Sequence, residues 1–217
     1  MVMTNDNTIM QAREYVRDRL YGEGSGHDWW HIHRVTEMAE RIASYEQADP
    51  FVCTLAALFH DLADEKVVGS SETGLREIHD WLHNHGVNEI DRDHILSIIS
   101  TMSFRGGHGE PMKTLEGKVV QDADRLDAIG AIGIARTFAY AGSKGHILYD
   151  PDIPPRSSMT AEQYRKDTNT AVNHFYEKLL KLRDRMNTDY GKQLAASRHA
   201  SMESFLERFY LEWQAEK

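Results

Sequence analysis

The chain has 217 residues, a mass of 24.9 kDa, a formal net charge of -9 and a pI near 5.7. Hydrophobic residues make up 41% of it and charged residues 27%, a balance typical of a folded globular protein and not of a disordered chain. The negative charge disfavours a nucleic-acid polymer as a partner, because phosphate backbones bind clustered Lys and Arg. No apolar run approaches the ~20 residues of a membrane span, and the single Cys53 excludes an internal disulfide. We therefore expect one domain over residues 1–217, located in the cytoplasm and without a membrane partner.

Apolar residues recur at helical spacing along nearly the whole chain, with no alternating strand pattern and no internal repeat. Asp49 and Pro50 mark one helix start, since Asp is a favoured N-cap and Pro fits the first helical position. The predicted fold class is therefore all-α. The expected helices span about 9–20, a stretch from near His27, a stretch from Pro50, about 72–86, about 88–103, one long helix over 115–141, about 160–187 and about 190–214.

Four residues with metal-binding side chains fall inside apolar helical stretches. They are His31 in HIHRV, the adjacent pair His60 and Asp61 in LFHDLADE, and Asp124 in QDADRLDA. Imidazoles and carboxylates are ligands of divalent metals, and such residues are seldom buried without a partner. A single histidine on an apolar face is more often a hydrogen-bonded core residue than a ligand. The combination of four nevertheless indicates a metal-dependent hydrolase.

Helical phase separates the two histidines of the HIHRV segment. His31 shares one side of its helix with apolar residues, so it is expected to face the core. His33 falls on another side, together with Glu37 and Glu40, and is expected to face water.

Other acidic and histidine residues compete for the ligand roles. Asp122 lies two residues from Asp124 and so on a roughly opposite helical face, whereas Asp127 shares the side of Asp124. His79 and His83 have the i, i+4 spacing of a helical metal pair. No third ligand accompanies that pair at a telling spacing, so a second metal there is disfavoured.

The motifs resemble those of the HD-domain metal-dependent phosphohydrolases. The histidine in HIHRV, the His-Asp pair and the aspartate in ADRL stand in the family's order, over about 27–140. The segment DADRLDAIGAIGIAR is similar to one bacterial branch of the family. The resemblance implies a single-domain helical bundle with a metal-site core at about 27–140 and a helical extension at about 160–215.

The resemblance also implies the ligand set and the cofactor. It selects Asp124 over Asp122, and it leaves Asp127 either to contact the substrate or to cap a polar edge of the core. Some relatives with two metals supply extra histidines after the His-Asp pair, but no adjacent His-His pair follows His94, which favours one metal. The expected cofactor is one divalent ion, Mn, Mg, Co, Fe, Ni or Zn, held by His31, His60, Asp61 and Asp124.

Hydrolysis also requires a proton acceptor and cations for the phosphate groups. Asp64 lies one helical turn beyond His60, and we expect it, with its neighbour Glu65, to accept or pass a proton, as similar enzymes have acidic residues there. His174, Lys178 and Lys181 form an i, i+4, i+7 stripe that binds phosphates or is simply a solvated helix face. The expected substrate-binding residues are His27, Arg105, Lys113, Arg125, Asp127, Lys144, His174 and Lys178.

The resemblance implies a phosphohydrolase that acts on a small nucleotide, as a monomer or homodimer. Similar enzymes cleave a nucleoside triphosphate to the monophosphate and pyrophosphate. Two other interpretations stay open: another phosphomonoesterase, phosphodiesterase or alarmone hydrolase of the same type, and a non-catalytic nucleotide-binding module.

Overall fold

The computed structural model describes residues 4–22, 28–63, 70–102, 111–156 and 170–216. These residues form nine α-helices and three short 3-10 turns, with no strand among them, which confirms the predicted all-α class. None of the described helices is long and apolar enough to cross a bilayer. The α-helices are α1 (Asn5–Leu20), α2 (Trp29–Glu46), α3 (Pro50–Phe59), α4 (Ser71–Asn84), α5 (Glu89–Thr101), α6 (Leu115–Asp127), α7 (Gly130–Lys144), α8 (Ala171–Glu177) and α9 (Asp189–Trp213).

The chain divides into two compact units, Met1–Asp124 and Arg125–Lys217. Helix α6 contains the division, so its last three residues count with the second unit. The single-domain organisation expected from the sequence stays a prediction.

Helix α3 is the centre of the first unit. Every residue from Val52 to Phe59 is buried, so the helix is enclosed on all sides and contacts α1, α2 and α5. Its start is as predicted: Pro50 opens the helix, and the Asp49 carboxylate accepts the N–H groups of Phe51 and Val52 at 2.8 and 3.3 Å. Because α3 is buried, the residues that directly follow it also lie in the interior. Every residue of the 3-10 turn His60–Ala63 is buried.

The prediction of one long helix over 115–141 was wrong, because α6 and α7 are separate. Ile129 is extended (φ -125°, ψ 168°), and Gly130 has φ +74°, in the left-handed region that favours glycine. A Cβ on Gly133 would lie 2.2 Å from the carbonyl oxygen of Ala128, so the chain turns tightly here. The apolar period is helical on both sides of this break, and periodicity alone therefore missed it.

The helix predicted over 160–187 is present over Ala171–Glu177 but ends ten residues earlier than predicted. Helix α8 ends at Glu177, since the Lys178 backbone leaves the helical region (φ -134°, ψ -60°). Two 3-10 turns follow, Leu179–Lys181 and Arg183–Arg185. His174, Lys178 and Lys181 consequently do not form a stripe on one continuous helix. The part of the prediction over 160–169 lies outside the described residues.

The second unit has its own aromatic core. Helix α7 packs against α8 and α9. Phe138, Phe175 and Phe205, one from each helix, have ring centroids 5.7 to 5.9 Å apart. Helix α9 matches the predicted final helix closely, because its apolar residues keep one period from end to end.

Candidate metal centre

His31 is placed by the first turn of α2. The helix begins at Trp29 instead of near His27, because Asp28 is the N-cap and its carboxylate accepts the His31 N–H at 2.9 Å. The His31 side chain is 2% exposed, which confirms that it faces the interior. His33 is 38% exposed and lies 4.0 Å from Glu37, on the other side of the helix.

His60 and Asp61 occupy the buried turn that follows α3. Their side chains are 5% and 6% exposed. Nδ1 of His60 lies 2.7 Å from the carbonyl oxygen of Ala57. A carbonyl only accepts, so Nδ1 carries the proton and donates it, and Nε2 keeps its lone pair. Nε2 is itself buried and has no hydrogen-bond partner among the described residues.

Asp124 extends from α6 towards both imidazoles. Its Oδ1 atom lies 3.6 Å from Nε2 of His31 and 3.9 Å from Nε2 of His60. The Asp124 side chain is 38% exposed, far more than those of the two histidines or Asp61. Asp124 is therefore the edge of this group that is open to solvent.

The Asp61 carboxylate lies between the two histidines. One carboxylate oxygen lies 3.2 Å from Nε2 of His60, and the other lies 3.4 Å from Nε2 of His31. The two imidazole planes meet at 71° with centroids 5.4 Å apart, so the rings do not stack and both Nε2 atoms point to the same carboxylates.

The donor spacing fits a divalent ion. Zn-type ions bind nitrogen and carboxylate oxygen at about 2.0–2.2 Å, which separates neighbouring ligand atoms by about 3–3.5 Å. Ligand atoms of His31, His60 and Asp124 all lie within 4.8 Å of one another. A buried polar atom that lacks a hydrogen bond is costly, and coordination of a cation by Nε2 of His60 removes that cost.

A family model described as the HD domain matches residues 29–129 of the chain. The protein YpgQ of Bacillus subtilis is 43% identical over 198 residues, which cover 90% of this chain and 89% of YpgQ. The chain belongs to the HD-domain family. It is accordingly a metal-dependent phosphohydrolase, as its motifs predict.

Solved structures of similar proteins have the same fold. A Lactobacillus plantarum protein is 42% identical, with a TM-score of 0.86 over 99% of this chain and 100% of its own. An HD-superfamily hydrolase of Bacillus thuringiensis is 46% identical, with a TM-score of 0.79 over 98% and 100%. YpgQ in complex with ADP is 40% identical, with a TM-score of 0.79 over 97% of each chain.

The other two aspartates of the HD-family signature differ from Asp124 in their surroundings. Asp122 is fully buried and lies outside the cluster of three donors. Asp127 forms an ion pair with Arg136, whose Nη1 lies 2.6 Å from Oδ2. Two roles were considered for Asp127, contact with the substrate and capping of a polar edge of the core. This ion pair supports the second.

Four of the expected site residues lie outside the described residues. They are His27, Asp64, Glu65 and Arg105. The helical spacing from which Asp64 was inferred does not apply, because α3 ends at Phe59 and a 3-10 turn follows. Their catalytic and substrate-binding roles stay predictions.

The remaining expected phosphate-binding residues lie at four different places in the chain: before α6, on α6, on α7 and at α8. Lys113 is exposed just before α6, and Lys144 is exposed at the end of α7, with Nζ 5.7 Å from the centroid of the Tyr140 ring. Arg125 donates to the carbonyl oxygen of Arg185. His174 and Lys178 are half-buried at α8. All but Lys113 belong to the second unit, and their substrate-binding roles stay predictions.

The histidines that were considered for further metal ligands have other partners. Nε2 of His94 lies 2.9 Å from Oγ1 of Thr114. Nδ1 of His79 lies 3.0 Å from Oδ1 of Asp80, and the His79 ring stacks parallel to the His83 ring. Within the described part of the chain, the donor group of His31, His60 and Asp124 is the one group of three or more.

Two supporting residues of the HD centre were missed from the sequence. The Ala57 carbonyl holds the His60 ring, and the Asp28 cap holds the His31 backbone. The Asp28 cap was detectable, since an Asp before an apolar helical run is a common N-cap. A backbone carbonyl carries no residue-specific signal.

Proposed function

We propose that this HD-family protein hydrolyses a phosphate ester or anhydride of a small nucleotide, with one divalent ion held by four side chains. The proposed ligands are His31, His60, Asp61 and Asp124. The observation that carries the proposal is Nε2 of His60, which is buried without a hydrogen bond, has its lone pair free and lies 3.2 Å from a carboxylate oxygen of Asp61.

Each proposed ligand has a distinct task. Asp61 has one oxygen beside each imidazole, so its carboxylate and both Nε2 atoms are close enough to share one cation. The Ala57 carbonyl fixes the tautomer of His60, which makes Nε2 the coordinating atom. Asp124 stands at the exposed edge, where a phosphate group would arrive. The bound ion would supply a Lewis acid for the phosphoryl oxygens and lower the pKa of an attacking water.

A proton acceptor completes the proposed reaction. Attack of water on phosphorus releases a proton, and a positioned carboxylate accelerates that transfer. Asp64 is the first acidic residue after the His60–Ala63 turn, with Glu65 next to it. We assign the proton transfer to Asp64 and a supporting role to Glu65.

A nucleotide substrate is supported by YpgQ, which has been crystallised in complex with ADP. Small phosphate compounds suit a chain of net charge -9, since they need only a local group of cations. We propose a nucleoside triphosphate, cleaved to the monophosphate and pyrophosphate. The proposal includes a cytoplasmic location, supported by a lone, buried and unpaired Cys53.

The test is a release assay for phosphate and pyrophosphate over nucleoside mono-, di- and triphosphates, with Mn, Mg, Co, Fe, Ni and Zn tested separately. We expect metal-dependent pyrophosphate release from at least one triphosphate and none from the Asp124→Ala variant. Release of phosphate alone, or cleavage of a cyclic or alarmone substrate, would replace the proposed reaction with another of its type. Tight nucleotide binding without hydrolysis under any metal would identify a binding module.

A further inference from the structure

The C-terminal end of α6 is held by two arginine side chains. The last carbonyl groups of an α-helix have no partner within the helix and must find one elsewhere. Arg198 of α9 donates through Nη1 to the carbonyl oxygen of Leu126, which also accepts the N–H of Ile129 at 3.3 Å from beyond the helix. Arg136 of α7 donates through Nη1 to the carbonyl oxygen of Asp127 at 3.4 Å. We call Arg136 and Arg198 the arginine clamp.

Arg136 holds the helix end by charge as well. Its Nη1 lies 2.6 Å from Oδ2 of Asp127, and the Asp127 side chain is only 6% exposed. A charge-assisted hydrogen bond in such a setting is shorter and stronger than a neutral one. Asp127 is therefore bound through both its backbone and its side chain.

Gly130, which follows the helix, leaves room for the Arg198 side chain to reach the carbonyl oxygen of Leu126. A Cβ on Gly130 would lie 3.0 Å from both Cβ and Cγ of Arg198, so the arginine stem packs directly on this glycine. Burial lowers the pKa of Arg198, and the negative charge of Asp127 opposes that shift. The stem packs on Gly130 and the guanidinium donates to the carbonyl oxygen of Leu126, so both parts of the side chain are held in place.

We infer that Arg136 and Arg198 are positioning residues for Asp124, and this inference rests on the proposed metal site. Leu126 and Asp127 follow Asp124 by two and three residues, so all three lie within the last turn of one helix. Helix ends fray when their carbonyls lack partners. A metal site tolerates displacement of its ligands by only about 0.5 Å. The clamp fixes the last turn and, through it, the Asp124 carboxylate.

The test measures the Kd of Mn²⁺ by calorimetry on the full chain without nucleotide. Arg198→Met keeps the stem that packs on Gly130 but removes the donors, and should raise the Kd about tenfold, at the lower end of the 10–100-fold range for partners of metal ligands. Arg198→Lys retains a cationic donor and should restore most of the affinity. Arg208→Met, at an exposed position of the same helix, should leave the Kd unchanged.

Two further variants separate positioning from general destabilisation. Met202→Ala truncates a buried residue of α9 outside the clamp, and should lower the melting temperature without changing the Kd. An equal rise in Kd for Met202→Ala and Arg198→Met would overturn the inference, as would a native Kd for folded Arg198→Met. If Arg198→Met does not fold, the Asp127→Asn, Arg136→Gln double variant replaces it, with the same expected rise and the same contrary result.

Failure of the metal site itself gives a different result. Asp124→Ala should lose Mn²⁺ binding in the same assay. If Asp124→Ala binds Mn²⁺ with native affinity, the proposed ligand set is wrong. If Asp124→Ala loses Mn²⁺ while Arg198→Met does not, the ligand set stands and the positioning role is wrong.

Discussion

His60 in the first unit and His199 in the second are similar when each is viewed alone. Both are buried, with 8% and 6% of the whole residue exposed, and each has one ring nitrogen with no hydrogen-bond partner among the described residues. In His60 that atom is Nε2, and in His199 it is Nδ1. An unpaired buried nitrogen is unusual in a protein interior and requires an explanation in both cases.

The surroundings of the two rings differ. Nε2 of His60 lies near carboxylate oxygens of Asp61 and Asp124, in a group that also contains His31. His199 has one acidic neighbour, Glu203, at 3.3 Å on the next turn of α9, and that side chain is 61% exposed. A buried ring nitrogen without a hydrogen bond therefore indicates a metal site only where several donor atoms converge on it.

The largest predicted effect comes from removal of the His60 ring, and removal of the His199 ring is its control. His60→Ala should abolish metal binding. Loss of a residue that supports a metal ligand typically costs about 10–100-fold in activity, and loss of the ligand itself should reduce turnover by more than that. His199→Ala should keep native metal content and turnover. Both variants lose a buried imidazole and should be destabilised by about 0.5–3 kcal/mol, so each serves as the stability control for the other. Elemental analysis and steady-state kinetics provide the readouts.

Two results would contradict this distinction between His60 and His199. Full metal occupancy in a His60→Ala, Asp61→Ala double variant would show that the convergent donors do not hold the ion. Loss of metal in His199→Ala would show that a single acidic neighbour is sufficient, and that the second unit contributes to metal retention.

A somewhat smaller effect is expected for the proposed proton acceptor. Asp64→Asn keeps the shape of the side chain but cannot take a proton, so kcat should fall by about 10²–10⁴-fold while metal content stays native. Glu65→Gln is the matched control and should retain most of the activity. A native rate for Asp64→Asn together with a large loss for Glu65→Gln would exchange the roles of the two neighbours.

Removal of the metal should lower the melting temperature only when the donor group of His31, His60 and Asp124 is intact. A ligand at 100 times its Kd stabilises the folded state by about 2.7 kcal/mol. For a chain of this size that corresponds to a melting temperature about 5–10 °C higher with metal than with chelator. The same shift is expected in His199→Ala, whereas His60→Ala should melt at one temperature in both conditions. Differential scanning calorimetry measures the three pairs.

The sequence predicted those parts of the fold that depend on local pattern. The all-α class and the start of α3 at Asp49 and Pro50 were recovered, because amphipathic period and N-cap preference are properties of neighbouring residues. The separation of α6 from α7 was not recovered. It depends on the left-handed backbone of Gly130, and glycine is also tolerated inside helices.

The metal-binding residues of the candidate site could be predicted from the sequence, but the contacts that hold them could not. Family resemblance brought His31, His60 and Asp124 together, although they are distant in the chain and no spacing rule relates them. The contact of Arg198 with the end of α6 joins residues 72 positions apart and has no local signature. Contacts of that kind are set by tertiary packing, which periodicity does not encode.

The smallest predicted effect concerns His33, which shares α2 with the proposed ligand His31. Its ring is 38% exposed, lies 4.0 Å from Glu37 and contacts the rings of Trp29 and Trp30. A surface ion pair at this distance contributes about 0–1 kcal/mol, so His33→Ala should change the free energy of unfolding by no more than about that amount. Metal content and turnover should stay native. His31→Ala, two residues earlier, should lose both, and the reverse result would show that the wrong histidine of the helix has been assigned to the metal.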